Sequence, residues 1–202
     1  MKELTLEGSM LWEAPAFYFE SGRKYRIIAP SGMGKTSLLA MMYGLRSDYS
    51  GDLFLDDQNA RSLNSKEWSV LRKRKLSMIF QGLELFDDLT ARQNIRVKNG
   101  ITGFKSEREI AAMAAQLGIE RFLDRRCEIL SFGQKQRVAI IRSLCQPFEY
   151  LFADECFSHM DHQNSQSAFD LISGECAVQG AGLVLTSLEN TPMNGFDTTI
   201  TL

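Results

Sequence analysis

Short apolar runs bounded by glycine, proline or polar residues recur along the chain and are typical of buried strands. Two alternating segments, 4–8 and 17–22, each end in glycine and predict strands near the N-terminus. A helical pattern begins at Gly34 and ends near Leu45, and another covers about 161–173. The remaining apolar runs are 25–29, 52–56, 76–81, 150–154, 182–187 and 198–202. Because strands and helices alternate, we expect an α/β protein with a mostly parallel sheet.

The middle of the chain, 82–145, has a different pattern that is mostly helical. Ser106 and Glu109 have the spacing of a capping box and precede an apolar helical stretch. We therefore expect one domain spanning 1–202, in which a helical subdomain interrupts the core. Its predicted parts are a core of 1–81 and 146–202 and an inserted subdomain of 82–145.

Composition excludes several classes of protein. The 202 residues suit one domain, and a net charge of −2 gives no field that would recruit nucleic acid or anionic lipid. We expect neither a membrane helix, which needs roughly 18 apolar residues, nor a leader peptide. The four cysteines form no CxxC pair, so we expect no zinc site and a reducing compartment.

The stretch APSGMGKT at 29–36 matches the phosphate-binding pattern G-x-x-x-x-G-K-[ST] at every fixed position except the first. It lies between a predicted strand and a predicted helix, where backbone N–H groups and the helix N-terminus attract an anion. Lys35 is expected to reach the β- and γ-phosphates, and the Thr36 hydroxyl to bind Mg²⁺. The residues predicted to bind nucleotide here are Ser31, Gly32, Met33, Gly34, Lys35, Thr36 and Ser37.

Ala29 occupies the first position of this pattern, where glycine is usual. Glycine matters there mainly because it adopts backbone angles that other residues avoid. If Ala29 has a negative φ, its methyl group is tolerated. We therefore predict that the loop still binds ATP.

Four motifs in a fixed order resemble those of ATP-binding cassette ATPases. LSFGQKQRVAI at 130–140 resembles the family signature, and EYLFADE at 149–155 resembles its second nucleotide motif. FSHMD at 157–161 resembles the loop that follows, and MIFQ at 78–81 resembles the glutamine loop. The resemblance covers about 4–202. It implies an α/β P-loop NTPase core with a mostly parallel sheet, N-terminal antiparallel strands and an inserted helical subdomain.

The resemblance also implies which residues carry the chemistry of ATP hydrolysis. Asp154 would hold Mg²⁺ together with Thr36 and Gln81, since carboxylates at strand ends bind this ion in phosphoryl-transfer sites. Glu155 would orient or deprotonate the attacking water. Gln81 would also contribute to catalysis, because it lies between the sheet and the helical insert and can sense Mg²⁺–ATP.

In this family the signature contacts ATP that is held by another subunit, so the resemblance implies a dimer, and we expect a homodimer. The signature opens a helix and can present hydroxyl and N–H donors to a γ-phosphate. Phe132 stands where the family signature has glycine. The residues expected at the partner's ATP are Ser131, Phe132, Gly133 and Gln134. Asp161 is expected to be the aspartate of the loop after the second nucleotide motif.

Two further features depart from the family pattern. Ser187 falls where the family has a histidine that contacts the γ-phosphate. A serine hydroxyl donates one hydrogen bond and is never cationic, so we expect Ser187 to act in catalysis with weakened turnover. No aromatic residue is clearly placed to stack on adenine. Among Trp12, Phe17 and Tyr18, we expect Trp12 to do so.

The motifs favour the ATPase subunit of a membrane transporter or related membrane machine. The permease would be a separate chain, and this chain would be cytoplasmic, bound to the inner face of the membrane through it. The compact form resembles small cassette ATPases that pair with lipoprotein-releasing or division-type membrane proteins. Two alternatives remain: a non-transport cassette ATPase acting on DNA or ribosomes, and a slow, partly degenerate nucleotide switch. We expect no nucleic-acid partner, because a strongly basic face is missing.

Overall fold

The computed structural model describes residues 17–188 and 194–202. The strands in these residues, in chain order, are β1 Lys24–Ile28, β2 Phe54–Leu55, β3 Gln58–Asn59, β4 Leu76–Ile79, β5 Tyr150–Asp154, β6 Gly182–Ser187 and β7 Thr198–Thr201. Five of them form one sheet in the order β4-β5-β6-β1-β7, and every neighbouring pair is parallel. β2 and β3 form a separate antiparallel pair. The predicted mostly parallel α/β fold is confirmed.

Helices follow or connect these strands. They are α1 Lys35–Met42, α2 Ser65–Arg74, α3 Ala91–Asn99, α4 Glu107–Gln116, α5 Phe132–Leu144 and α6 His162–Gln179. Reciprocal capping boxes open α2, α3, α4 and α5 by satisfying backbone N–H groups that have no partner inside the helix. The predicted capping box of Ser106 and Glu109 is one of them and is confirmed.

The parallel sheet separates two apolar clusters, because alternate side chains of a strand point to opposite faces. On one face, Ile27 and Val184 pack with α1 residues such as Leu39. On the other, Leu183 and Leu185 belong to a cluster that also contains buried residues of α3, α4, α5 and α6. One continuous core therefore joins the helical segment to the sheet, and a subdomain boundary at 82–145 stays a prediction.

The strand predicted at 17–22 is not formed. Residues 17–20 have no regular secondary structure, and a turn follows. The Phe17 and Phe19 rings pack edge-on against Tyr25, and the Glu20 N–H donates to the Tyr25 hydroxyl at 2.9 Å. These contacts occupy the segment in place of strand pairing. The strand predicted at 4–8 lies outside the described residues.

Candidate nucleotide-binding site

The predicted phosphate loop connects the carboxyl end of β1 to the first residue of α1. Gly32 has φ +83° and Gly34, the N-cap of α1, has φ +88°. Both values are left-handed, which glycine adopts at no steric cost. No side chain caps α1, so backbone N–H groups at the start of the helix are available to an anion. The loop therefore has the backbone geometry that phosphate binding requires.

Ala29 has no positive φ, in contrast to Asp56, Leu83, Glu84 and Glu155. It is fully buried at the exit of β1. The condition under which alanine replaces the usual glycine without strain is thus met.

Lys35 lies buried beneath the loop. Its Nζ is 2.6 Å from the Ala29 carbonyl oxygen, 3.0 Å from that of Pro30 and 3.0 Å from Glu155 Oε1. A buried ammonium group is stable only when paired and hydrogen-bonded in this way. The side chain of Lys35 is 3% exposed and that of Glu155 is 14% exposed. The structure thus joins the predicted phosphate-binding lysine directly to the predicted catalytic glutamate.

Glu155 follows β5 in a left-handed conformation, with φ +44°. Its N–H lies 3.1 Å from Thr186 Oγ1, and Gln81 Nε2 donates to Glu155 Oε2 at 3.3 Å. Left-handed backbone in a non-glycine residue costs of the order of 1–3 kcal/mol and is concentrated at functional sites. The glutamine loop and the end of β5 therefore meet at one carboxylate, which also contacts Lys35.

Asp154, the last residue of β5, is 1% exposed. Its Oδ1 accepts a hydrogen bond from the Thr186 hydroxyl at 2.7 Å. Its buried Oδ2 has no hydrogen-bond partner among the described residues. A buried carboxylate oxygen without a partner is costly and fits a ligand role towards Mg²⁺ or a water bound to it.

Ser187 ends β6, next to β1 in the sheet. Its hydroxyl oxygen accepts a hydrogen bond at 2.8 Å from Nε of Arg26, and both residues are buried. Sequence reasoning missed Arg26. A single charged residue inside a strand run carries no local signal, and its partner lies 161 positions away.

The signature residues lie at the start of α5. Ser131 caps this helix by accepting from the Gln134 N–H, and Gln134 Oε1 accepts from the Ser131 N–H. The Phe132 ring lies 4.3 Å from that of His159, measured between centroids. A Cβ on Gly133 would come within 3.1 Å of the His159 carbonyl oxygen. The signature thus packs against the segment after β5, where Asp161 caps α6.

The remaining predicted nucleotide-binding residues surround the loop. Ser31, Met33 and Thr36 are exposed at its surface. The Ser37 hydroxyl accepts a hydrogen bond from Arg46 at 2.8 Å. Trp12, the predicted adenine-stacking residue, lies outside the described residues.

Comparison with known proteins agrees with this geometry. Residues 13–158 match the family model described as ABC transporter. The lipoprotein-releasing system ATP-binding protein LolD of Psychrobacter arcticus is 31% identical over 175 residues, which cover 84% of this chain and 77% of LolD.

Two solved dimers share the fold. One is a post-hydrolysis state of the ATP-binding cassette MJ0796 bound to ADP and Pi, with a TM-score of 0.75 and 26% identity over 85% of this chain and 77% of that one. The other is also a dimeric structure of MJ0796, described as a bacterial ABC transporter cassette, with a TM-score of 0.74 and 26% identity over 84% of this chain and 77% of that one. The chain belongs to the ABC transporter family and is an ATP-binding cassette ATPase.

Proposed function

We propose that this chain is the subunit that binds and hydrolyses ATP in a membrane transport complex. The observation that carries the proposal is the convergence of Lys35, Glu155 and Gln81 at the end of the phosphate loop. The similarity to LolD and to transporter cassettes supports the same role.

The contacts of Lys35 suggest how ATP is used. An incoming phosphate offers Lys35 a stronger acceptor than two carbonyl oxygens. Lys35 then leaves Glu155, whose carboxylate becomes free to accept a proton from water. The oxygen of that water bonds to the γ-phosphorus while the bond to the bridging oxygen of ADP breaks, which yields ADP and phosphate. Ser187 donates a hydrogen bond to the γ-phosphate, where charge is rearranged.

Mg²⁺ is the proposed cofactor. Asp154 Oδ2, which has no hydrogen-bond partner in 17–188 and 194–202, would hold it together with the Thr36 hydroxyl and the Gln81 side chain. When bound, the ion neutralises charge on the phosphate oxygens. These oxygen donors are of the kind that Mg²⁺ prefers.

A second copy of this chain is the proposed dimer partner. Ser131, Phe132, Gly133 and Gln134 would face the ATP of the partner, and Asp161 would lie at the contact between the two copies. The start of α5 and the segment after β5 are exposed at Ser131, Phe132 and His159, which leaves them accessible to a partner. The solved dimers of a similar cassette support a second cassette subunit as partner.

A separate permease is the second proposed partner. No helix within the described residues is long and apolar enough to cross a bilayer. We place the chain at the inner face of the membrane, bound there through the permease, with no nucleic acid in the complex. Trp12 remains the proposed adenine-stacking residue.

Hydrolysis is tested by comparing the native chain with Glu155→Gln. The amide keeps the size of the side chain but cannot accept the proton, so kcat should fall by about 100-fold or more, at the low end of the effects of general-base removal. Glu149→Gln is the matched control, because Glu149 immediately precedes β5, at the end away from Glu155, and pairs with Lys75. Equal background turnover in the native chain and Glu155→Gln would refute hydrolysis.

The transport role is tested by affinity purification of the tagged chain from solubilised membranes, with partners identified by mass spectrometry. We expect a stoichiometric protein with several membrane helices. Recovery only from the soluble fraction, alone or with ribosomes or DNA, would instead support the non-transport alternative.

The slow nucleotide switch is a second candidate that Ser187 specifically favours. Loss of a donor to developing charge costs about 2.7–4 kcal/mol in sites of the oxyanion type. Turnover weakened by that order would still allow ATP binding to drive dimer closure. A measurable ATP-dependent dimer combined with very slow hydrolysis would identify this case.

A further inference from the structure

Arg26 directs its side chain along the sheet towards the site. β1 and β6 are parallel, with Arg26 opposite Leu185 and Ile28 opposite Ser187. Ser187 is therefore two residues, or about 6.6 Å, nearer the carboxyl end than the Cα of Arg26. The hydrogen bond from Nε to the Ser187 oxygen spans this offset. It brings the guanidinium to the edge where β1 continues into the phosphate loop.

The Arg26 side chain is buried and lies near an aromatic ring. Arg26 is 8% exposed, and its guanidinium carbon lies 6.0 Å from the centroid of the Phe196 ring. Burial lowers the pKa of Arg26, yet a guanidinium stays protonated in proteins. A strand that keeps a buried cation gives up the stabilisation that an apolar residue would provide.

The contact determines how the Ser187 hydroxyl can act. A serine hydroxyl has one proton and two acceptor lone pairs. Because Arg26 donates to the oxygen, the Ser187 proton is turned away from Arg26. Charge-assisted hydrogen bonds are roughly twice as strong as neutral ones, so the hydroxyl is both oriented and polarised as a donor. Thr186, the preceding residue, contacts Asp154 and the Glu155 N–H, so Ser187 directly follows the β6 residue that holds the end of β5.

We propose that Arg26 is a positioning residue that holds Ser187 as a hydrogen-bond donor to the γ-phosphate of ATP. The Arg26–Ser187 pair supplies an oriented hydroxyl backed by a permanent positive charge at the position where the family uses a histidine. The inference rests on the proposed ATPase function and assigns a role to a residue outside its motifs.

The test measures kcat and KM for ATP in Arg26→Met, Arg26→Lys, Ser187→Ala and the double variant Arg26→Met/Ser187→Ala. Arg26→Met keeps side-chain length without charge, and kcat should fall about tenfold, the order expected for one hydrogen bond to a charged group. KM should change less than kcat, because the donor acts mainly on charge that is rearranged at the γ-phosphate in the transition state. Arg26→Lys should recover part of the loss. Arg23→Met is the control, since Arg23 precedes the same strand and pairs with exposed Glu20.

The double variant separates positioning from general stabilisation. If Arg26 acts through Ser187, the double variant should be no slower than Ser187→Ala. Independent, multiplying losses would overturn the proposal, and so would unchanged kcat in Arg26→Met. Thermal unfolding of each variant identifies a folding defect. If Arg26→Met does not fold, comparison of Ser187→Ala with Arg26→Lys/Ser187→Ala decides between the same outcomes.

A binding measurement keeps the proposal testable if the native chain does not hydrolyse ATP. The ratio of the Kd for ADP to that for a non-hydrolysable ATP analogue reports contact with the γ-phosphate. Arg26→Met and Ser187→Ala should reduce this ratio by the same factor. Absence of native turnover with a reduced ratio would contradict only the proposed hydrolysis. An unchanged ratio would contradict the role of Arg26.

Discussion

The end of the phosphate loop and the start of α5 differ in how they satisfy their polar groups. Around the loop, Lys35 and Gln81 both contact Glu155, and the side chains of Lys35 and Glu155 are only 3% and 14% exposed. At the start of α5, Ser131 and Gln134 satisfy only the helix end and lie near the surface. The first region (Lys35, Glu155 and Gln81), which we call the assembled region, is held together by contacts within one chain. The second region presents its donors to the surface.

This difference indicates where each region finds its ligand. The loop needs only a phosphate to take the place of the contacts between Lys35 and its present partners. The signature packs against His159 of its own chain. Its surface donors are therefore open to a phosphate that is held by another molecule. In the proposed dimer each signature would contact the loop of the other copy, because twofold symmetry repeats such a contact at both sites.

Lys35→Met should have the largest effect, because it removes the central cation of the assembled region. We expect ATP affinity to fall about 100-fold, within the 2–5 kcal/mol typical of truncating one member of a buried charge pair. Calorimetric titration with ATP measures the loss. Lys24→Met, at the opposite end of β1, should bind like the native chain. Near-native affinity of Lys35→Met would show that the buried ion pair with Glu155 is purely structural.

Mixing two inactive variants should restore activity if the signature serves another chain. Ser131→Asp keeps a good N-cap but places a negative charge opposite the phosphate. A 1:1 mixture with Lys35→Met should recover about one quarter of native turnover, since half of randomly formed dimers are mixed and each has one intact site. The measurement is phosphate release before and after mixing.

A mixture of Lys35→Met with Glu155→Gln is the matched control for this experiment. Both changes affect the assembled region of their own chain, so every composite site in the mixed dimer stays defective. Recovery in this control, or no recovery with Ser131→Asp, would show that the signature does not complete a partner's site.

Phe132→Ala should weaken the dimer more than it weakens the fold. The Phe132 ring is 44% exposed and contacts His159. Burial of this ring by a second copy would make its truncation cost about 1–2 kcal/mol of dimer affinity, as for other aromatic interface residues. Sedimentation of Glu155→Gln with ATP, with and without Phe132→Ala, measures the change. Val178→Ala, an exposed apolar position on α6, is the control.

Much of the fold follows from the sequence because central parallel strands are buried on both faces and form short apolar runs. The runs at 150–154 and 182–187 match β5 and β6 exactly in extent. The helix predicted at 161–173 extends to Gln179. Gly174 lies inside the helix without a positive φ, whereas Gly180 has φ +62° and ends the helix. The segment at 17–22 was wrongly predicted because its packing depends on tertiary contacts with Tyr25.

The site likewise contains residues that the sequence predicts and contacts that only the structure gives. Lys35 and Asp154 could be predicted because each belongs to a local motif whose spacing reflects a loop or a strand end. The ion pair between Lys35 and Glu155 joins two motifs, and only the structure gives its geometry. Arg26 belongs to no motif, since its role depends on the register between β1 and β6.

Ser187→His should have the smallest effect on turnover. It tests whether Ser187 weakens the site beside the assembled region. A histidine side chain reaches further than serine and donates a hydrogen bond. However, Arg26 Nε already lies 2.8 Å from Ser187 Oγ, the atom that the imidazole ring would replace. We therefore expect turnover to rise only about two- to fivefold, well below the 10²–10³ associated with restoring one oxyanion-type donor. Ser187→His combined with Arg26→Ser removes the neighbouring cation and should rise further. If phosphate release increases in neither variant, Ser187 does not weaken the site, and the slow-switch alternative loses the observation that favours it.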